Sequence, residues 1–332
     1  MKALHAFRCH HVLPVLAALA LALGSAPARA QSGPFPNKPI HIVVPFAAGT
    51  GTEVIARTVG DKIAEEIKQP VVIDIREGGG GIIGTMAALQ APADGYTMLI
   101  VANPFTIVPG TNSKAPYDPV KDFVPVAKVA IIPIVLTVTQ RLPVNNLKEF
   151  IAYAKANPGK MSYASSGPGT PSQLEMELFK QAAGIDIVEV PYKSTAQAMT
   201  DVVGGQIDMY PAGVPISLQH IKSGRIKAMG IFDTKRTPSL PDVPTLAEGM
   251  GMPDYVATPL WYGFVARAGT PRDVQARLNA LVTQAMKSPE VAARLQGLGA
   301  QLISPSNEEF SQSMKAEIEK TARIAKALGI AK

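Results

Sequence analysis

The stretch Val44-Pro-Phe-Ala-Ala-Gly-Thr-Gly-Thr-Glu-Val-Ile-Ala-Arg57 joins the end of a β-branched run to the start of a helical pattern. A strand is expected to stop near Pro45, a small-residue loop to follow, and a helix to begin near Thr52 or Glu53. Gly49 and Gly51 admit turns closed to bulkier residues, and Thr50 or Thr52 can cap the helix. Such a helix start points N–H groups and the positive end of its dipole away from the strand, which suits a carboxylate as well as a phosphate. A plain strand-to-helix turn is the other reading of the same residues. The construction recurs at Met161-Ser-Tyr-Ala-Ser-Ser-Gly-Pro-Gly-Thr-Pro-Ser-Gln173, where Ser165, Ser166 and Thr170 offer hydroxyls. There Thr170 and Pro171 read as N-cap and first helical residue. A third helix start follows Val190-Pro-Tyr-Lys-Ser-Thr195, with Lys193 beside it.

Outward from these segments, short β-branched runs alternate with helical patterns, which argues for α/β architecture with largely parallel sheets. Two apolar runs are longer than ordinary strands. Val124 to Val138 is broken by Lys128 and Pro133, and Tyr255 to Ala266 holds Pro259 and Trp261. Read as crossovers, they divide the chain into one lobe of residues 31–132 plus 255–332 and a second of 133–254. Two lobes joined by two crossing strands form a clamshell, or Venus flytrap, that closes about a hinge. One helix-start loop in each lobe would let an anion bridge the cleft.

The first thirty residues are of another kind. Lys2 and Arg8 precede the apolar run Val12–Gly24, and Ala28-Arg29-Ala30 is a small-x-small cleavage site. These are the parts of a secretory signal peptide, expected to be cut after Ala30 for export to the periplasm. The whole chain has 332 residues and a formal charge of +6. Removing the leader takes Lys2, Arg8 and Arg29, leaving 29 basic against 26 acidic residues and a charge of +3. A nucleic-acid partner loses its support with that change. The single cysteine, Cys9, leaves with the leader, as do His5, His10 and His11.

A mature chain without thiols, whose only histidines are His41 and His220, excludes cysteine nucleophiles, thiolate zinc and thiol redox chemistry. His41 in a strand-like run reads as partly buried and structural, and His220 on a helical segment reads as a surface residue. A secreted hydrolase using the Ser165–Ser166 loop is the competing reading, and it needs a general base that two distant histidines hardly supply. Gly79-Gly-Gly-Ile-Ile-Gly84 satisfies a dinucleotide fingerprint, but the next strand ends at Ala102-Asn103-Pro104 with no acid for a ribose. The glycines therefore read as a tight turn near the cleft. No cofactor and no metal are expected.

Further segments carry a resemblance: Pro92-Ala-Asp-Gly-Tyr96, Tyr117-Asp-Pro-Val-Lys-Asp-Phe123, Ala156-Asn-Pro-Gly-Lys160, Pro191-Tyr-Lys193, Gly204-Gly-Gln206, Leu240-Pro-Asp-Val-Pro-Thr245 and Ala268-Gly-Thr-Pro271. In this order and spacing, with Val44–Arg57, the mature chain closely resembles the Bug family, the extracytoplasmic receptors of tripartite tricarboxylate transporters. The resemblance implies a two-lobed type II periplasmic binding fold that closes on a small organic carboxylate. It implies no enzymatic activity, and the partners would be the membrane subunits of the transporter. The receptor is expected as a monomer, and a role in carboxylate signalling would use the same site. Carried over, the binding residues are Phe46, Ala47, Ala48, Gly49, Thr50, Gly51 and Thr52 in the first loop. Ser165, Ser166, Gly169, Thr170 and Pro171 follow in the second, with Tyr192 and Lys193 in the third. Asn103 and Tyr210 complete the set.

Three positions depart from the family's usual pattern. Glu53 stands where Asp is common, Gln173 where the second helix often carries His, and Tyr210-Pro-Ala-Gly213 where Phe-Asp is frequent. Tyr210, Phe46 and Phe105 are expected to line a wall for a longer or aromatic dicarboxylate.

Overall fold

A computed structural model describes residues 34–327 apart from 166, 168, 169 and 193. The expected signal peptide lies outside the described residues, as do Ser166, Gly169 and Lys193 of the expected binding set. Residues 34–37 form no helix or strand, and the folded body begins at Lys38.

In chain order the elements are β1 (Ile40–Val44), α1 (Gly51–Ile67), β2 (Val71–Ile75), α2 (Ile82–Gln90), β3 (Thr97–Ala102), α3 (Pro104–Thr111), β4 (Phe123–Ile132) and β5 (Ile134–Thr139). Then come α4 (Leu147–Ala156), β6 (Ser162–Ser165), α5 (Pro171–Ala183), β7 (Val188–Pro191), α6 (Thr195–Gly204), β8 (Met209–Gly213), α7 (Val214–Lys222) and β9 (Ile226–Phe232). The last are α8 (Leu246–Met250), β10 (Leu260–Arg267), α9 (Arg272–Met286), α10 (Pro289–Gly297), β11 (Gln301–Leu302) and α11 (Asn307–Ala327).

The strands sort into two sheets, β11-β4-β10-β3-β1-β2 and β7-β6-β8-β5-β9. The chain leaves the six-stranded sheet at Pro133, between β4 and β5, and returns to it at β10. Proline has no amide hydrogen to continue a ladder, so the long apolar run breaks there into two strands of different sheets.

The expectation of largely parallel sheets needs correcting. Pairings among β1, β2 and β3 and among β6, β7 and β8 are parallel. Every pairing that includes β4, β5 or β10 is antiparallel. A strand arriving from the other sheet enters from the opposite end, so it runs against its new neighbours.

Each sheet has its own aromatic core. Trp261 and Phe310 meet edge to face at 5.5 Å in the six-stranded half, where Phe105 also stacks on Tyr117 at 5.5 Å. In the five-stranded half, Phe179 lies between Phe150 and Phe232. Each such ring contributes roughly 1.5–3 kcal/mol by leaving water. Because β7, β6 and β8 run parallel and adjacent, the helices that follow them, α5, α6 and α7, all start at one edge of that sheet. That edge, outside the carboxyl ends of parallel strands, is where α/β proteins place ligands.

The glycine run is a turn, as expected. Gly78, Gly79, Gly80 and Gly81 all have positive φ, and α2 begins directly after them. Gly84 does something different: it lets α2 press against the end of β1. A Cβ there would lie 2.7 Å from Pro45 Cα and 2.9 Å from the Arg76 carbonyl, backbone atoms with no room to yield. Gly84→Ala is therefore expected to cost about 1–3 kcal/mol through overpacking, measured by denaturant unfolding of the exported protein. A variant as stable as the parent would show that α2 can lift off β1 at no cost.

Candidate functional site

The first loop behaves locally as its sequence suggests. The Thr50 hydroxyl caps α1 by accepting from the Glu53 amide, and it also donates to the Ala47 carbonyl at 2.8 Å. This closes a turn whose outer face, Ala47, Ala48 and Gly49, is exposed, whereas Thr52 is buried on the first turn of α1. Gly51 rests against Tyr262, whose Oη would be 3.1 Å from a Cβ at that position. The ring of Phe46 lies over Gly81. Glu53 is held by Arg57 one turn along, at 2.6 Å.

The second loop is organised by a residue the sequence reading passed over. Ser165 donates its hydroxyl proton to Glu189 on β7 and accepts the Gly167 amide at 2.9 Å. The other oxygen of Glu189 accepts from the Gln173 side chain at 2.8 Å. Glu189 thus ties the end of β6 to the first turn of α5. Thr170 sits at the N-cap position, but its hydroxyl turns back to the Gly167 carbonyl at 2.6 Å, so α5 starts without a side-chain cap. Next to it, Ser194 caps α6, and Tyr192 donates to Asp201 at 2.7 Å. Burial and the Asp201 charge push the Tyr192 phenol up to about 12, so it stays a donor at neutral pH. The start of α7, Gly213-Val214-Pro215, also lacks a side-chain cap.

These three helix starts face a cavity of about 330 Å³. Thr170, Pro171 and Ser172 border it from α5, Thr195 from α6, and Gly213 and Pro215 from α7. Ile132 and Ile134 enter from the crossing at Pro133, Leu260 from the return crossing, and Tyr210, Pro211 and Ile216 complete the wall. Among the described residues, none that lines it is charged. The polar groups are hydroxyls and helix starts, and the remainder is apolar. Three larger hollows elsewhere among the described residues are open to the surface and bordered by charged side chains, and the one bordered by Lys155, Lys180 and Asp186 lies at the C-terminal ends of α4 and α5, whose dipoles repel anions.

The cavity therefore gathers Thr170, Pro171 and Tyr210 of the expected set, and Thr195, Ser172, Pro215 and Ile216 beside them. Residues 46–52 do not border it and stand on the six-stranded half, linked to it through β10: Tyr262 touches Gly51 while Leu260 lines the cavity. Asn103 is buried elsewhere. Its side chain donates to the Pro259 carbonyl and to Glu317, and accepts the Trp261 amide. Phe105, expected on the ligand wall, is a core residue stacked on Tyr117. His41 is exposed on β1, in contrast to the partly buried position expected, and His220 ends α7 with Nδ1 buried. The Pro at the second position of α7 was a readable sign of a helix start, whereas nothing local marks Glu189 as a loop organiser. Among the described residues no cluster of three or more His, Cys, Asp or Glu could hold a metal, and no helix is long and apolar enough to cross a membrane.

Known proteins resemble this chain over most of its length. A family model described as the tripartite tricarboxylate transporter family receptor matches residues 55–330. A Pseudomonas sp. strain P51 protein described as the UPF0065 protein in the tcbD-tcbE intergenic region is 37% identical over 311 residues, 93% of this chain and 92% of that one. Protein BugT of Bordetella pertussis is 33% identical over 307 residues, covering 92% and 93%. Among solved structures, R. palustris Rpa4515 with adipate is 33% identical with a TM-score of 0.74, over 90% of this chain and 99% of that one. The chain belongs to the receptor family of the tripartite tricarboxylate transporters, and it is a two-lobed solute-binding protein rather than an enzyme.

Proposed function

We propose that this receptor works in the periplasm after cleavage at Ala30, and that it captures an organic carboxylate with an apolar body in the cavity at the starts of α5, α6 and α7. The observation that carries the reading is the lining itself. Three helix starts supply positive potential and N–H donors, and Thr195 adds an exposed hydroxyl, while none of the described lining residues is charged. A carboxylate seated there is stabilised by fixed dipoles in a poorly solvated pocket, which costs little reorganisation. Ile132, Ile134, Ile216 and Leu260 then face the rest of the ligand. A six-carbon diacid such as the adipate of Rpa4515, or an aromatic acid, fits that division better than a small hydroxylated acid. The lobes would be residues 31–132 plus 255–332 and 133–254. The exposed first loop, with Phe46, Ala47, Ala48, Gly49, Thr50, Gly51 and Thr52, would meet the ligand from the opposite side when the lobes close. Ser166, Gly169, Tyr192 and Lys193 would join the ligand from the second and third loops. Ser165 acts behind the second loop, because its proton is already given to Glu189. Loaded, the monomeric receptor would deliver its ligand to the transporter's membrane subunits. Closure is favoured only as far as the ligand binds the closed form better.

Calorimetry with aliphatic monoacids, C4 to C8 diacids, citrate, aromatic acids and the matching primary amides tests this. Adipate or an aromatic acid should bind, and at about 100 times its Kd it should add about 2.7 kcal/mol of stability, a melting shift of several degrees. Amides or sugars that bind while no acid does would defeat the carboxylate reading. Strongest binding by citrate would defeat the apolar-body reading.

Thr195→Val removes an exposed hydroxyl at the mouth of the cavity and leaves the fold intact. Loss of one hydrogen bond to a charged group, about 1.5–3 kcal/mol, predicts a Kd higher by roughly ten- to a hundredfold with an unchanged melting temperature of the unliganded protein. An unchanged Kd would place the ligand elsewhere.

A further inference from the structure

Helix α5 has two faces with different partners. Its first turn borders the ligand cavity, and one turn later Leu174, Glu175 and Leu178 face the six-stranded half. Lys320 of α11 donates to Glu175 Oε1 at 2.7 Å and to the Thr258 hydroxyl at 2.8 Å. Thr258 lies on the return crossing just before β10, so one ammonium group joins α5, α11 and the crossing segment. Both charged side chains are largely buried, at 16% and 7% exposure. Leu174 packs with Ile107 and Ile324 beside the pair, and Pro171 borders both the ligand cavity and the small void next to Glu175. Glu175 and Lys320 themselves are absent from the cavity lining.

We propose that Glu175 and Lys320 are a positioning pair that sets the ligand-facing start of α5 by fixing the five-stranded half against α11. Buried ion pairs add little net stability compared with well-packed apolar residues, but they specify one arrangement because any other leaves a charge without its partner. Burial pushes the Glu175 carboxyl up and the Lys320 charge acts against that, so the carboxylate depends on its partner staying in place. Glu317 and the Tyr255 phenol are the other titratable groups near the pair; Glu317 already accepts from Asn103, Thr106 and Trp261, and it sits beside the same void. A ligand that must be met by both loops binds best when their separation is set beforehand, since ordering them on binding costs affinity.

The test uses the mature protein, which has no thiol of its own. Spin labels at Asp61→Cys on α1 and Lys148→Cys on α4, both exposed, report the distance between the halves without any ligand. Glu175→Leu with Lys320→Met keeps the volume and removes both charges, and Glu175→Gln with Lys320→Gln is the second pair should the first not fold. The expected result is a broader distance distribution in the double variants at a melting temperature equal to or above the parent's, while the single variant Lys320→Arg, which keeps the pair, retains the narrow one. Adipate, or whichever tested acid binds the parent, should bind the double variants more weakly by on the order of tenfold. A variant distribution as narrow as the parent's, or an unchanged Kd, overturns the proposal. The affinity readout alone rests on the ligand site proposed above: if no acid binds the parent, that reading fails while the distance distributions still decide this one.

Discussion

The buried carboxylate of Glu317 is the constraint that fixes where the return crossing enters the six-stranded half. It accepts from the Asn103 amide at 2.8 Å, the Thr106 hydroxyl at 2.8 Å and the Trp261 indole at 2.7 Å. These donors come from the end of β3, from α3 and from the first residues of β10, so one acid fastens the return crossing to α11. Burial pushes its carboxyl up, while the three donors and the nearby Lys128 act in the other direction. An acid with its lone pairs taken in this way costs far less to bury than an isolated one. Asn103 completes the lock by accepting the Trp261 amide and donating to Pro259. The crossing strand therefore enters the six-stranded sheet at one fixed place, and Leu260, its first residue, reaches the cavity at the starts of α5, α6 and α7 from there.

An anion site that rests on helix starts, as proposed for this receptor, would follow from the topology. Parallel strands β7, β6 and β8 put three helix starts at one sheet edge, where their dipoles favour negative charge. Fixed dipoles need no counter-charge to keep the empty pocket stable, and they leave the wall open to apolar residues. The modest charge of +3 on residues 31–332 agrees with recognition that is local rather than long-range.

Much of this was legible from residues alone. Thr50 before a helix, Pro171 at the first position of α5, and Pro133 between two apolar runs are short-range signals, and each marks a boundary observed in the structure. The Gly79–Gly84 run, so close to a nucleotide fingerprint, is explained by positive φ and by the press of α2 against Pro45. Less legible was the use each polar side chain makes of its hydrogen bonds. Ser165 looks like a ligand donor in sequence, yet Glu189, 24 residues on, takes its proton. Asn103 looks like a loop residue of the cleft, and its partners lie at Pro259, Trp261 and Glu317.

Capping, proline placement, glycine turns and strand alternation are properties of a few consecutive residues, so the amino-acid order settled the elements, their boundaries and the helix starts suited to an anion. Burial and pairing depend on residues brought together from far along the chain. Glu317 meets Asn103 across 214 positions, and Lys320 meets Glu175 across 145. Which hydroxyls face the cavity, which are consumed behind it, and which acids hold the two halves together were therefore decided by packing, because a hydrogen bond is assigned by distance in space and not by distance in sequence.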